Sequence, residues 1–95
     1  MELSVFMSSL ENSHPPANSS VYLQALWYDR KGNWKAAHDL VDSLPGRDAA
    51  RVHAYLHRVE GDEWNAEYWY SRAAATKPGY GLEQEWEELV RHYLQ

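Results

Sequence analysis

The sequence contains no cysteine, which excludes disulfides and thiol chemistry. It has no apolar run near the roughly 20 residues that cross a bilayer. Its first residues, MELSVFMSSLENS, offer neither a basic segment nor an apolar run of signal-peptide length. Positive charge is also short: nine Lys and Arg stand against fourteen Asp and Glu, a formal net charge of -5. Nucleic acid and anionic membrane both need phosphate neutralised by cations, so neither is an expected partner. A soluble, cytoplasmic protein is the expectation. The five glycines are scattered singly, so no phosphate-cradling loop exists, and no G-x-S-x-G nucleophile turn occurs. No segment sustains the period-two alternation of a half-buried strand.

Aromatic residues are plentiful, but they are five Trp and seven Tyr against a single Phe. Both abundant types bury large area while keeping one polar atom, which suits contacts between layers that have a wet edge. Apolar spacing then predicts an all-α chain. Leu3, Phe6, Met7 and Leu10 share one face of a short N-terminal helix, too short to stand unsupported in water. NSHPPANSS, from Asn12 to Ser20, reads as a linker, because Pro15 and Pro16 block helix continuation. Residues 1–18 are accordingly expected to be an arm and linker, and residues 19–95 a single helical domain.

Within that domain the spacing predicts helices over about Ser20 to Lys31, from a cap at Asn33 to Leu44, and from a cap at Asp48 to about Glu60. A fourth starts at a cap on Asp62 and runs through an alanine-rich stretch towards Pro78, and a fifth covers about Leu82 to Leu94. In the fifth, Leu82, Trp86, Leu89, Val90, Tyr93 and Leu94 form the apolar side. Glu83, Glu85, Glu87 and Glu88 lie towards its start and Arg91 and His92 near its end, the order that the helix dipole favours.

The chain repeats itself at an offset of 29 residues, pairing Ala25 with Ala54, Gly32 with Gly61, Ala37 with Ala66, Val41 with Tyr70 and Leu44 with Ala73. Small residues let helix backbones approach and glycine makes the turn, so these are structurally demanding positions to match. Ala54, Gly61, Asp62, Ala66, Tyr70, Ala73 and Pro78 in one copy, and Ala25, Tyr28, Gly32, Ala37 and Val41 in the other, resemble the tetratricopeptide-repeat pattern. The early Trp and Leu of that pattern are absent, His57 stands where Tyr is usual, and the period falls short of about 34. The resemblance implies two stacked helix-turn-helix hairpins with a C-terminal capping helix, acting as a non-enzymatic protein-interaction module. The open end of so short a stack must be covered by the N-terminal helix or by a second copy of the chain, so a self-associating structural subunit, a homo-dimer, is the alternative.

The same resemblance implies a concave groove lined by the first helix of each hairpin: Tyr22, Leu26 and Asp29 from one, Arg51, Tyr55 and Arg58 from the other. Arg51 and Arg58 lie two turns apart with Tyr55 between them, an arrangement suited to an acidic side chain or C-terminal carboxylate on a peptide. The competing reading is two solvated arginines paired with Glu60, Asp48 or Asp62 at little net energy. If the groove reading holds, charge reversal of both arginines removes binding and leaves the melting temperature unchanged.

No cofactor is expected. His53, His57 and Glu60 stand at i, i+4 and i+7, where a metal-dependent hydrolase would place ligands, but HAYLH lacks the intervening glutamate base of a zinc-protease helix. Hydrogen-bonded packing histidines are the competing reading. His38 and Asp39 are adjacent, point to different faces and make no dyad alone. Trp69 and Tyr70 are expected at the seam between hairpins with Tyr68 outward, and Trp27 and Trp64 as partly exposed anchors for a partner.

Overall fold

The computed structural model describes residues 1–95 and contains six α-helices and no strand. They are α1 (Leu3–Ser8, running on as a 3-10 turn over Ser9–Glu11), α2 (Val21–Arg30), α3 (Trp34–Val41), α4 (Arg47–Val59), α5 (Glu63–Arg72) and α6 (Leu82–Tyr93). Helix α2 packs chiefly on α3 and α4 on α5, giving two hairpins, with α3 against α4 joining them. No helix is long and apolar enough to cross a membrane.

The two hairpin turns are chemically alike. In the first, Asn33 N–H donates to Tyr28 O at 2.9 Å and Gly32 N–H to Asp29 O at 3.0 Å. In the second, Asp62 N–H donates to His57 O at 2.9 Å and Gly61 N–H to Arg58 O at 3.1 Å. Each is the paired bond of a Schellman ending, which requires a left-handed residue, and Gly32 and Gly61 both have φ of 83°. The next side chain then caps the following helix: Asn33 Oδ1 accepts from Ala36 N–H at 3.1 Å and Asp62 Oδ1 from Asn65 N–H at 3.2 Å. Ala25, Ala54, Ala37 and Ala66 are wholly buried, as close helix approach demands.

Three boundaries differ from expectation. Helix α3 ends at Val41, before the expected Leu44. Asp48 does not cap α4; Gly46 does, with φ of 99°, and Asp48 sits in the first turn. Helix α5 stops well before Pro78, because Ala74 takes a left-handed φ of 55° and Ala75 N–H closes on Tyr70 O at 3.0 Å.

Residues 1–18 are not an arm outside the domain. Phe6 is fully buried in the main core, with Leu3 and Leu10 packed against it, and its ring lies 6.2 Å from that of Trp86. Ser9 Oγ accepts from Trp27 Nε1 at 3.1 Å. That contact makes Trp27 an interior residue, 1% exposed, and not an anchor for a partner. The N-terminal segment thus packs on α2 and α6 as part of the domain.

Tryptophan does the remaining joining. Trp34 Nε1 donates to Leu56 O at 2.7 Å, tying α3 to α4, and Trp86 Nε1 donates to Leu26 O at 2.9 Å, tying α6 to α2. Each bond satisfies the indole N–H on burial, at a carbonyl that already serves its own helix.

Candidate functional site

The six groove residues do come together, but they form no open groove: α6 lies on the face they make. Tyr22 meets Tyr93 with ring centroids 5.1 Å apart, Leu26 is fully buried under Trp86, and Tyr55 is 3% exposed with its hydroxyl donating to Asp29 Oδ2 at 3.0 Å. Burial raises the Asp29 carboxyl above its ordinary value, against the opposing pull of Tyr55 and Arg30. It also drives the Tyr55 phenol far above its usual range.

The two arginines hold a carboxylate, and it is the chain's own. Glu85 on α6 is wholly buried. Its Oε1 accepts from Arg58 Nη1 at 2.7 Å, and its Oε2 accepts from the Tyr70 hydroxyl at 2.5 Å. Arg51 Nη1 lies 2.8 Å from the same Oε2 but is not aligned as a hydrogen bond, so that contact is ionic. Arg58 Nη2 also donates to Tyr80 O at 2.6 Å. Neither arginine pairs with Glu60, Asp48 or Asp62. In the sequence Glu85 looks like one more dipole-favoured acid. The missed signal is its spacing, three residues after Leu82 and four before Leu89, which places a charge inside the apolar stripe of α6.

Free cationic surface lies elsewhere. Arg47 and Arg72 are the two arginines that meet no carboxylate in this structure. Both line one cleft of about 200 Å³, beside Leu44, Pro45 and Trp69, and no acidic residue lines it. By contrast, the cleft of about 400 Å³ that Arg47 shares with Arg51 also contains Asp48 and Glu88. The depression of about 480 Å³ beside Ser4 and Pro16 carries no charge at all.

Arg72 links the 200 Å³ cleft to exposed aromatic residues of α5. Arg72 Nη1 donates to Tyr68 Oη at 2.9 Å, and its guanidinium sits 5.7 Å from the Trp69 ring. Tyr68 is 42% exposed, as expected of an outward residue, and it stacks on Trp64, which is 75% exposed. Tyr70 is buried, but inside the second hairpin with Ala54 and Ala66 and with its hydroxyl on Glu85, and not at the seam between hairpins.

Histidine side chains from two helices form a second constellation. His53 Nε2 is 3.0 Å from His38 Nε2, and His57 Nδ1 is 2.7 Å from Glu60 Oε1. Ring nitrogens of His38, His53 and His57 lie within 4.8 Å of one another. Burial first, and then the neighbouring His38 and His57, push His53 down to about 4, so its imidazole is neutral at pH 7. His53 and His57 therefore do sit together, as their spacing implied. The member that sequence reasoning missed is His38: a neighbour in space across the hairpin junction leaves no trace in local spacing. Comparison of the chain with protein-family models, with curated proteins and with solved structures returned no match.

Proposed function

We propose that this chain is a non-enzymatic protein-interaction module that captures a peptide segment bearing an acidic side chain or C-terminal carboxylate beside an apolar residue. The observation that carries this reading is the pairing of Arg47 and Arg72, both free of acids, in one cleft with Leu44 and Trp69. Paired guanidinium groups recognise a carboxylate by charge-assisted hydrogen bonds, and on a chain of net charge -5 an unmatched pair is a specific attractor for it. Trp64 and Tyr68 extend the surface with rigid aromatic area of the kind that anchors partners. The resemblance to tetratricopeptide repeats supports the reading in kind, since stacked hairpins of that sort hold peptide segments. The seat moves from the Glu85-filled face to the outer side of the second hairpin.

The test uses two peptides of Leu and Ala that differ only in ending with a free Asp or an amidated Asn. The Asp peptide is expected to perturb Trp64 and Trp69 fluorescence saturably and to bind more weakly as salt rises. The R47E/R72E variant should weaken it by more than about tenfold at an unchanged melting temperature, since both residues are exposed. Equal binding of both peptides, or of neither, overturns the proposal. Self-association through the exposed faces of Trp64 and Tyr68 predicts instead a mass that doubles with concentration in sedimentation.

A further inference from the structure

We propose that His38, His53 and His57, with Asp42 as fourth ligand, form a binding site for a zinc-class divalent cation that pins the first hairpin to the second. Helix α3 supplies His38, Asp42 follows directly at its C-cap, and α4 supplies His53 and His57. Tetrahedral coordination at zinc–nitrogen distances near 2.0 Å sets ligand nitrogens about 3.3 Å apart. The His38 and His53 Nε2 atoms are already 3.0 Å apart, and all three rings offer a nitrogen within 4.8 Å of the others. Asp42 Oδ1 lies 3.8 Å from His38 Nε2 and 3.9 Å from His53 Nε2. Binding requires the three ring nitrogens, now within 4.8 Å of one another, to draw in to about 3.3 Å, with Asp42 turning in from the solvent side.

The surroundings fit that role. Glu60 holds the Nδ1 proton of His57, which leaves Nε2 with the lone pair and makes that ring a stronger ligand. Glu60, a candidate ligand by sequence spacing, thus orients a ligand instead. The rings are fixed in place: Trp34 stacks on His38 with centroids 4.8 Å apart, and Trp69 on His53 at 4.0 Å. His38 and His53 share a single proton between their Nε2 atoms when no metal is present. Metal binding moves that proton to Nδ1 of the donor ring and exposes both lone pairs, and for His38 a carboxylate oxygen of Asp39 lies 3.9 Å from Nδ1. The cluster is reached from solvent through Asp42, whose side chain is 58% exposed, and His38, at 20%. Imidazole with one carboxylate suits zinc, and also copper or nickel, better than calcium or magnesium.

The experiment is a titration of wild-type protein with zinc chloride, followed by histidine ring nitrogen NMR and by thermal melting. The expected result is a 1:1 complex that shifts the His38, His53 and His57 resonances and leaves those of His14 and His92 in place. The melting temperature should rise by about 10 °C when free zinc is a hundredfold above its dissociation constant, and EDTA should reverse it. Cobalt(II) should give the intense visible bands of a tetrahedral site. H38Q should lose the thermal shift, whereas H14Q/H92Q should keep it. No shift in wild-type protein, or a shift that H14Q/H92Q abolishes, overturns the proposal and leaves the three rings as a hydrogen-bonded packing cluster. The wild-type NMR readout decides the matter even if H38Q fails to fold.

Discussion

Asp29 shows how one side chain can depart from what its sequence position suggests. It was legible as a groove residue because it shares a helix side with Tyr22 and Leu26. What spacing did not show is that Tyr55 and α6 would close over it. Its carboxyl is raised above 3.8 by burial, with Tyr55 and Arg30 opposing and Glu83 reinforcing the shift. A raised acid binds more protons folded than unfolded, so its contribution to stability is fully present below pH 3.8 and is lost as pH rises through the folded value. D29N removes that titration while keeping an oxygen to accept from Tyr55. The gap in unfolding free energy between wild type and D29N, measured by urea titration across a pH series, should therefore move against wild type as pH rises above 3.8 and become flat beyond the folded value. A gap independent of pH would show Asp29 to be as well solvated folded as unfolded.

At the scale of the helix, the turns and most starts were legible, while two stops and the start of α4 were not. Gly32 and Gly61 announce their turns because a left-handed residue is needed there, and Asn33 and Asp62 announce caps through their side-chain oxygens. The end of α5 carries no such marker, since Ala73, Ala74 and Ala75 are all good helix formers. The chain nevertheless turns at Ala74 with φ of 55°, a conformation that costs an L-residue about 1–2 kcal/mol relative to the right-handed one. Glycine does not bear that cost, although it loses more backbone freedom on folding. A74G should therefore stabilise the protein by about 0.5–1 kcal/mol, seen as a melting temperature raised by several degrees. A lowered midpoint would mean that the Ala74 methyl contributes packing that outweighs its strain.

For the molecule as a whole, the repeat at 29 residues made the paired hairpins readable from residues alone, because the buried alanines and turn glycines recur in register. The placement of α6 was not readable. That α6 has an apolar side says only that it must be covered, and the identity of what covers it depends on Glu85 reaching Arg51, Arg58 and Tyr70, residues from both helices of the second hairpin. The His38 contact with His53 was hidden for the same reason, being a meeting across a junction and not along a helix. Removing a buried partner from such a network leaves the others uncompensated, at about 3–5 kcal/mol. E85A should lower unfolding free energy by that order in urea titration. Charge reversal of Arg51 and Arg58 should lower the melting temperature too, contrary to what an open groove implies. A loss below about 1 kcal/mol for E85A would place the network among weakly coupled surface pairs.

Glu85 also sets the terms on which the last helix can let go. If α6 lifted away by itself, two guanidinium groups two helical turns apart would lose their shared counter-charge beside an apolar bed. Partial release at that end is thereby disfavoured in a way that fraying of an ordinary terminal helix is not. The chain holds its final segment by an electrostatic latch whose release would hand both cations to water at once.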